Sequence, residues 1–268
     1  QRSLSTLGSQ MKQGVLTQCR SDIKSLAAVK NKGRKVGRLR FTKEVNSINL
    51  QQYGSTYEID WQRKRARIQN IGWVKVYGLK QLDGYEELAN AKLLAKPDGY
   101  YLAVTAYFMK GSKSIPIEFL GSNIGIDMGV ATHVTVSDGE KLNSMVRETE
   151  PLKRLQRKLS RQVKGSNNYV KTVKRIQREY QKMDRRKDDF ANKLVRELLR
   201  HETVFFQDEN LSAWKSRKMG SKMGRRLQHS ALGRVKAKLV ASDRAVMLGR
   251  WVATTQYCNL CKGKTRHS

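Results

Sequence analysis

The first 32 residues place apolar side chains at every third or fourth position: Leu7, Met11, Val15, Cys19, Ile23 and Leu26. A single stripe at that spacing predicts an amphipathic helix with Cys19 as a packing residue. Asn31-Lys32-Gly33-Arg34-Lys35 breaks the period and predicts a linker. From residue 36 to about 119 the period falls to two. Tyr57, Ile59 and Trp61 share one strand face, and Ile68, Val74 and Val76 prolong the extended pattern. Tyr101, Ala103, Thr105 and Tyr107 alternate again after a Pro97-Asp98-Gly99 turn. Short alternating runs between turn residues predict a small antiparallel β-barrel or curled sheet.

A helical period returns over residues 152–201. Leu152, Leu155, Leu159 and Val163 form one stripe, and Gly165-Ser166-Asn167-Asn168 reads as a turn. Val173, Ile176, Tyr180, Met183, Phe190, Leu194 and Leu198 form a second stripe. A helical hairpin with one apolar face is expected. The whole pattern is mixed α/β (α+β), a β-domain followed by a sheet domain with inserted helices.

Charge changes what these surfaces are for. Fifty-four basic against 23 acidic residues leave a formal charge of +31 over 268 residues. Self-repulsion of that size calls for a polyanionic partner, and counterion release makes nucleic acid the default one. No apolar run approaches the ~20 residues of a membrane span, and no signal-peptide pattern is present at the start. Three cysteines, two of them the close pair Cys258 and Cys261, fit a reducing compartment better than a disulfide framework. Two sets of bases are candidates for phosphate contacts. Arg38, Arg40, Arg63, Lys64, Arg65 and Arg67 fall on predicted loops of the β-domain, where a solvated basic surface is the plainer alternative. Lys153, Arg154, Arg157, Lys158, Arg161, Lys171, Lys174, Arg175 and Arg178 fall opposite the apolar stripes of the helical pair, with few acids among them.

Three stretches carry candidate chemistry. Asn123-Ile124-Gly125-Ile126-Asp127-Met128-Gly129-Val130 reads as a strand and a tight turn, with Asp138-Gly139 starting a further hairpin. Asp127 interrupts an apolar strand. A divalent metal would compensate such a carboxylate, and a turn-capping role is the alternative. Gly125 and Gly129 leave room for a phosphate backbone. Thr203-Val204-Phe205-Phe206-Gln207-Asp208-Glu209-Asn210-Leu211 reads as a buried strand ending in acids. Alternation puts Gln207 and Glu209 on one face and Asp208 on the other, so Glu209 is the first choice of ligand and Asp208 the second. In Thr254-Thr255-Gln256-Tyr257-Cys258-Asn259-Leu260-Cys261 the C-x-x-C pair is half of a tetrahedral zinc site, with a redox pair as the rival.

In this order the stretches resemble the TnpB (OrfB) family of insertion-sequence proteins, relatives of miniature type V CRISPR effectors. The resemblance runs the length of the chain. Residues 1–32 look like the end of a helical recognition lobe, and residues 33–119 like a wedge domain, through Lys35 to Phe41 and Asp98 to Tyr107. Residues 120–268 look like an RNase H-like RuvC nuclease domain. That domain would hold the basic hairpin at 152–201 and a zinc ribbon, cut short, at 252–268.

It implies an RNA-guided DNA endonuclease with guide RNA and target DNA as partners, a two-Mg²⁺ site, a Zn²⁺ ribbon, and an intracellular, nucleoid-associated location. Asp127 matches the first catalytic acid. The family's second motif usually sets a glutamate directly before an aspartate; here Gln207 stands there, with Glu209 two positions on. The third acid would follow a second cysteine pair beyond Ser268, so the chain alone is expected to be inactive. Asp243 precedes the first pair and does not match. A nuclease-dead RNA-guided repressor, or a plain DNA-binding repressor needing no RNA, is the rival expectation.

Overall fold

The computed structural model describes residues 7–37, 45–109, 119–143, 146–215 and 221–252. Arg38, Arg40, Cys258 and Cys261, with the rest of the predicted ribbon from residue 253, lie outside the described residues. The chain is mixed α/β and divides into two compact units, Gln1–Ile115 and Pro116–Ser268.

In the first unit, α1 (Ser9–Asn31) precedes six strands: β1 (Ser47–Leu50), β2 (Tyr57–Asp60), β3 (Arg65–Ile68), β4 (Gly72–Lys75), β5 (Glu87–Lys96) and β6 (Gly99–Tyr107). They form two antiparallel three-stranded sheets, ordered β1-β5-β6 and β2-β3-β4. The antiparallel expectation holds, but among the described residues neither sheet closes into a barrel. No strand ladder joins the two sheets, and β2, β3 and β4 have four residues each. Side chains make the seam instead. Leu50, Tyr57, Ile59, Ile68 and Leu88 are buried together, and Tyr57 Oη donates to Ala89 O at 2.9 Å. Burial, with Tyr53 nearby, pushes the Tyr57 phenol up to about 12. In β6 the predicted alternation is present: Leu102, Val104 and Ala106 pack inward, leaving Tyr101, Ala103, Thr105 and Tyr107 on the exposed face.

The apolar stripe of α1 is only partly used. Met11 and Gly14 are buried where the helix meets β1, whereas Val15, Ile23 and Cys19 are exposed. The expectation that Cys19 packs in a core is therefore corrected. The reason is length: 23 residues of helix extend ~35 Å, while the four-residue β1 supports only ~13 Å of it.

The second unit is built on β7 (Ile124–Met128), β8 (Val134–Val136), β9 (Lys141–Leu142), β10 (Val204–Gln207) and β11 (Ala245–Leu248), in the order β11-β10-β7-β8-β9. The first three strands form an antiparallel meander, turned at Asp138-Gly139. β10 then lies parallel to β7, and β11 parallel to β10. Ile124, Ile126, Val204 and Phe206 send buried side chains to one face of the sheet. There they meet Leu194, Val195 and Leu198 of α3 (Asn167–Leu198) and Leu232, Val235 and Leu239 of α5 (Leu232–Val240). α4 (Ser221–His229) adds Leu227.

The helical hairpin pairs α2 (Glu150–Ser160) with the first half of α3. Thr149 caps α2 by accepting from Leu152 N, and Ser166 caps α3 by accepting from Tyr169 N. Leu152, Ile176 and Met183 are buried between the helices. Val163 does not belong to the stripe: α2 ends at Ser160, and Val163 sits in the connecting turn, 78% exposed.

Candidate functional site

Strand geometry settles where Asp127 stands. Its neighbours Ile126 and Met128 are buried against the helices, so the period of two turns Asp127 to the opposite, open face. It pairs with Thr135 of β8, while Ile126 pairs with Phe206 of β10, which brings Gln207 alongside Asp127 one step further along the register. Asp127 and Gly125 line a depression of about 650 Å³ with Ser137, Phe205, Gln207 and the chain from Arg250 to Val252. The depression lies toward the carboxyl ends of the parallel strands β7, β10 and β11. That is where open α/β sheets commonly place ligands. No hydrogen bond or ion pair engages the Asp127 carboxylate among the described residues.

The two flanking glycines differ. A Cβ on Gly125 would meet only the Ser137 side chain, at 3.7 Å, so the strand stays open there. One on Gly129 would come within 2.8 Å of Thr132 O, so Gly129 serves the tight turn rather than the approach of a phosphate. Beyond the turn, His133 is 1% exposed, and burial holds its imidazole below the ordinary histidine value.

The acids after β10 are placed otherwise than alternation predicts. The strand ends at Gln207; Asp208 N still donates to Leu248 O, but Glu209 N donates to Gln207 O and Leu211 N to Glu209 O. These short-range bonds bend the chain, so the face-sharing of Gln207 and Glu209 expected from a continued strand is not observed. Asp208 is committed to cations: Lys236 Nζ lies 2.5 Å from Oδ1, and Arg250 lies 3.6 Å from Oδ2. The hydrogen bond and charge of Lys236, with Arg250 beyond, hold the Asp208 carboxyl below the usual carboxylate range. Lys236 also donates to Glu209 O at 2.7 Å. Glu209 itself is half-buried, and no cation engages its carboxylate among the described residues. Gln207 turns its amide outward along the sheet, donating from Nε2 to Arg250 O at 2.8 Å and Val252 O at 3.1 Å.

As a metal site this is a partial donor set. Asp127 is exposed and uncompensated, which suits a hard divalent cation. Asp208 is already neutralised. Among the described residues no three His, Cys, Asp or Glu side chains group as a metal would require.

The expected phosphate-binding residues also separate. Arg65 and Arg67 are in strand β3, not in a loop, and pair with Asp60 at 3.4 Å and Glu58 at 3.0 Å. Arg65 also lies over the Trp73 ring. Arg63 and Lys64 are exposed in the β2–β3 turn, where Asp60 accepts from Arg63 N. On the hairpin Lys153 pairs with Glu150, while Arg154, Arg157, Lys158, Arg161, Lys171, Lys174, Arg175 and Arg178 are exposed. Positions 171, 174, 175 and 178 form one helical stripe, turned away from buried Thr172 and Ile176. Sequence reasoning missed Lys236 and Arg250, since nothing local to either residue signals a partner some 28 or 42 positions away.

Comparison with known proteins adds a lineage to this geometry. Residues 115–203 match the sequence model of the OrfB_IS605 family, described as "Probable transposase". That segment contains Asp127 and both hairpin stripes and ends just before β10. The chain is 28% identical over 164 residues to the "Putative RNA-guided DNA endonuclease InsQ" of Escherichia coli K12, covering 60% of this chain and 40% of that protein. It is 31% identical over 147 residues to a "Putative RNA-guided DNA endonuclease" of Streptomyces pristinaespiralis, covering 52% of this chain and 36% of that one. The chain thus matches well under half the length of these relatives. Among the described residues no helix is long and apolar enough to cross a membrane.

Proposed function

Because the chain belongs to the TnpB (OrfB) family of transposon-encoded proteins, we propose that it is part of an RNA-guided, metal-dependent DNA endonuclease in which Asp127 is the first catalytic acid. The observation that carries this reading is the uncompensated Asp127 on the open sheet face, beside the parallel strand β10. Glu209 is the second acid of the proposal, since Lys236 and Arg250 already neutralise Asp208. A third acid would come from chain outside the described residues. Bound Mg²⁺ would supply an activated water and stabilise the leaving oxygen of a phosphodiester. Asp127 would orient that ion, and Gly125 would leave the sheet face open to a phosphate.

The remaining assignments follow the same reading. The mixed sheet, with its acid on the central strand and parallel neighbours to one side, supports an RNase H-like RuvC domain over residues 120–268. Residues 33–119 would act as the wedge domain and residues 1–32 as the end of a recognition lobe. Cys258 and Cys261 would hold Zn²⁺ with a second pair of ligands. The stripe from Arg154 to Arg178 would carry the guide RNA–target DNA duplex through its phosphates, and pairing would supply sequence choice. Such a protein would work inside the cell, on the nucleoid.

A second reading, a nuclease-dead repressor, is favoured by one observation: Gln207 is neutral and Asp208 is neutralised. Guided cleavage by the full-length protein separates the two. The endonuclease reading expects Mg²⁺-dependent cutting that Asp127→Ala abolishes while guided DNA binding persists. Guided binding without cutting in the unaltered protein would overturn it in favour of the repressor.

A further inference from the structure

Gln207 occupies the place where the resemblance expects an acid, and the structure gives it work that an ionised acid could not do. Its Nε2 donates to two main-chain carbonyls, Arg250 O and Val252 O. A carboxylate has acceptors only, so here it would set its oxygens against two others. The segment it reaches is a tight turn after β11, closed by Val252 N donating to Gly249 O at 3.0 Å. Arg250 fastens the same turn from the other side, donating from Nε to Asp208 O at 3.2 Å, and Lys236 of α5 braces Asp208 in turn. This turn borders the candidate site: Arg250, Trp251 and Val252 form one wall of the depression that holds Asp127.

We infer that Gln207 is a positioning residue, whose neutral amide fastens residues 250–252 to the end of β10 and so fixes one wall of the Asp127 depression. The charged surroundings favour the amide as well. Asp127 on the neighbouring strand β7 is an acid with no cation engaging it among the described residues, while Lys236 and Arg250 are already engaged by Asp208. A carboxylate at position 207 would lack both a donor and a spare cation. The functional meaning of the wall rests on the catalytic reading of Asp127; the fastening stands on the two hydrogen bonds alone.

Hydrogen exchange tests the fastening directly in the 268-residue chain. Gln207→Glu keeps the shape and loses the donor, and Gln207→Met loses all polarity. Both should speed amide exchange across residues 249–252 by roughly tenfold, as loss of two hydrogen bonds implies, with Glu at least as fast as Met. Exchange in β7 and α5 should stay as in the unaltered chain, which a general loss of folding would not allow. Protection across 249–252 equal to the unaltered chain in Gln207→Glu would overturn the inference, whatever Met does. In the full-length guided nuclease, Gln207→Glu should slow cleavage and leave guide and target binding intact. Faster exchange with cleavage unchanged in both Gln207→Glu and Asp127→Ala would sink the catalytic reading and leave the fastening standing.

Discussion

Two neighbouring strands of the same sheet treat their acids in opposite ways. At the end of β7, Asp127 faces an open depression with no cation engaging it among the described residues. At the end of β10, Asp208 is held by Lys236 and Arg250, and the chain bends at once. A fold gains stability by pairing a carboxylate, and an acid left uncompensated at a strand end gives up that gain. The contrast teaches that a place in a candidate motif is a poor guide to what an acid touches: Asp208 sits inside the stretch and pairs with Lys236 of α5.

The largest effect expected from this contrast is on chemistry. Under the proposed nuclease function, Asp127→Ala in the full-length protein with guide RNA should lower the cleavage rate by about a thousandfold or more, as removal of a central catalytic group commonly does. Asp208→Asn should leave most of the rate, because Asn can still accept from Lys236. Equal losses in the two variants would erase the distinction between the strand ends.

Next in size is the stability of the β10 end. Lys236→Met removes the cation that bridges Asp208 and Glu209 O. It should lower the melting temperature more than Asp208→Asn, since it leaves Asp208 with only the longer contact to Arg250. A melting series on the two variants checks the order.

The acid response sharpens the comparison further. Asp208 has a folded value below its ordinary 3.8, so its contribution is full above 3.8 and fades as pH falls below it. His133, beside the β7 end, is depressed from 6.5 by burial. The unfolded chain therefore takes up its proton first, and stability should fall as pH drops from above 6.5 toward the lowered folded value. Melting curves between pH 7.5 and pH 5 should show this slope in the unaltered chain and lose it in His133→Phe. Asp208→Asn should keep that slope and flatten only the limb below about pH 4.

The smallest effects belong to residues whose sequence pattern promised more. Cys19→Ser on the exposed side of α1 and Val163→Ser in the hairpin turn should each change stability by less than about 0.5 kcal/mol. Leu152→Ala, in the same predicted stripe as Val163, should cost about 2–5 kcal/mol. Urea melts of the three variants give the comparison.

Those pairs also mark what the sequence could tell. The stripes of α1 and α3 read alike, because periodicity reports a helix and its apolar side but not whether a neighbour is long enough to cover it. Asp127 was legible because an acid in an apolar strand violates the local pattern. Of the barrel or curled sheet that alternation predicts, only closure is missing among the described residues, because alternation gives strands and faces but not the ladder that would close them. The strand of β10 and the acids after it were legible, but what those acids touch was not. Gln207 takes its partners 43 and 45 residues later, and the bend at Glu209 depends on hydrogen bonds that no spacing rule anticipates.

The hydroxyl of Tyr57 has an optical consequence. It joins the two small sheets of the first unit and is held to about 12, above the 10 of an ordinary phenol. In an alkaline absorbance titration, its phenolate should appear only at about pH 12. The Tyr57 phenol would then report the parting of the two sheets, because the unfolded chain releases that proton near pH 10 and the folded one resists it. One chromophore thus gives the seam a colour of its own, readable without a label, and Tyr57→Phe should remove the step at about pH 12.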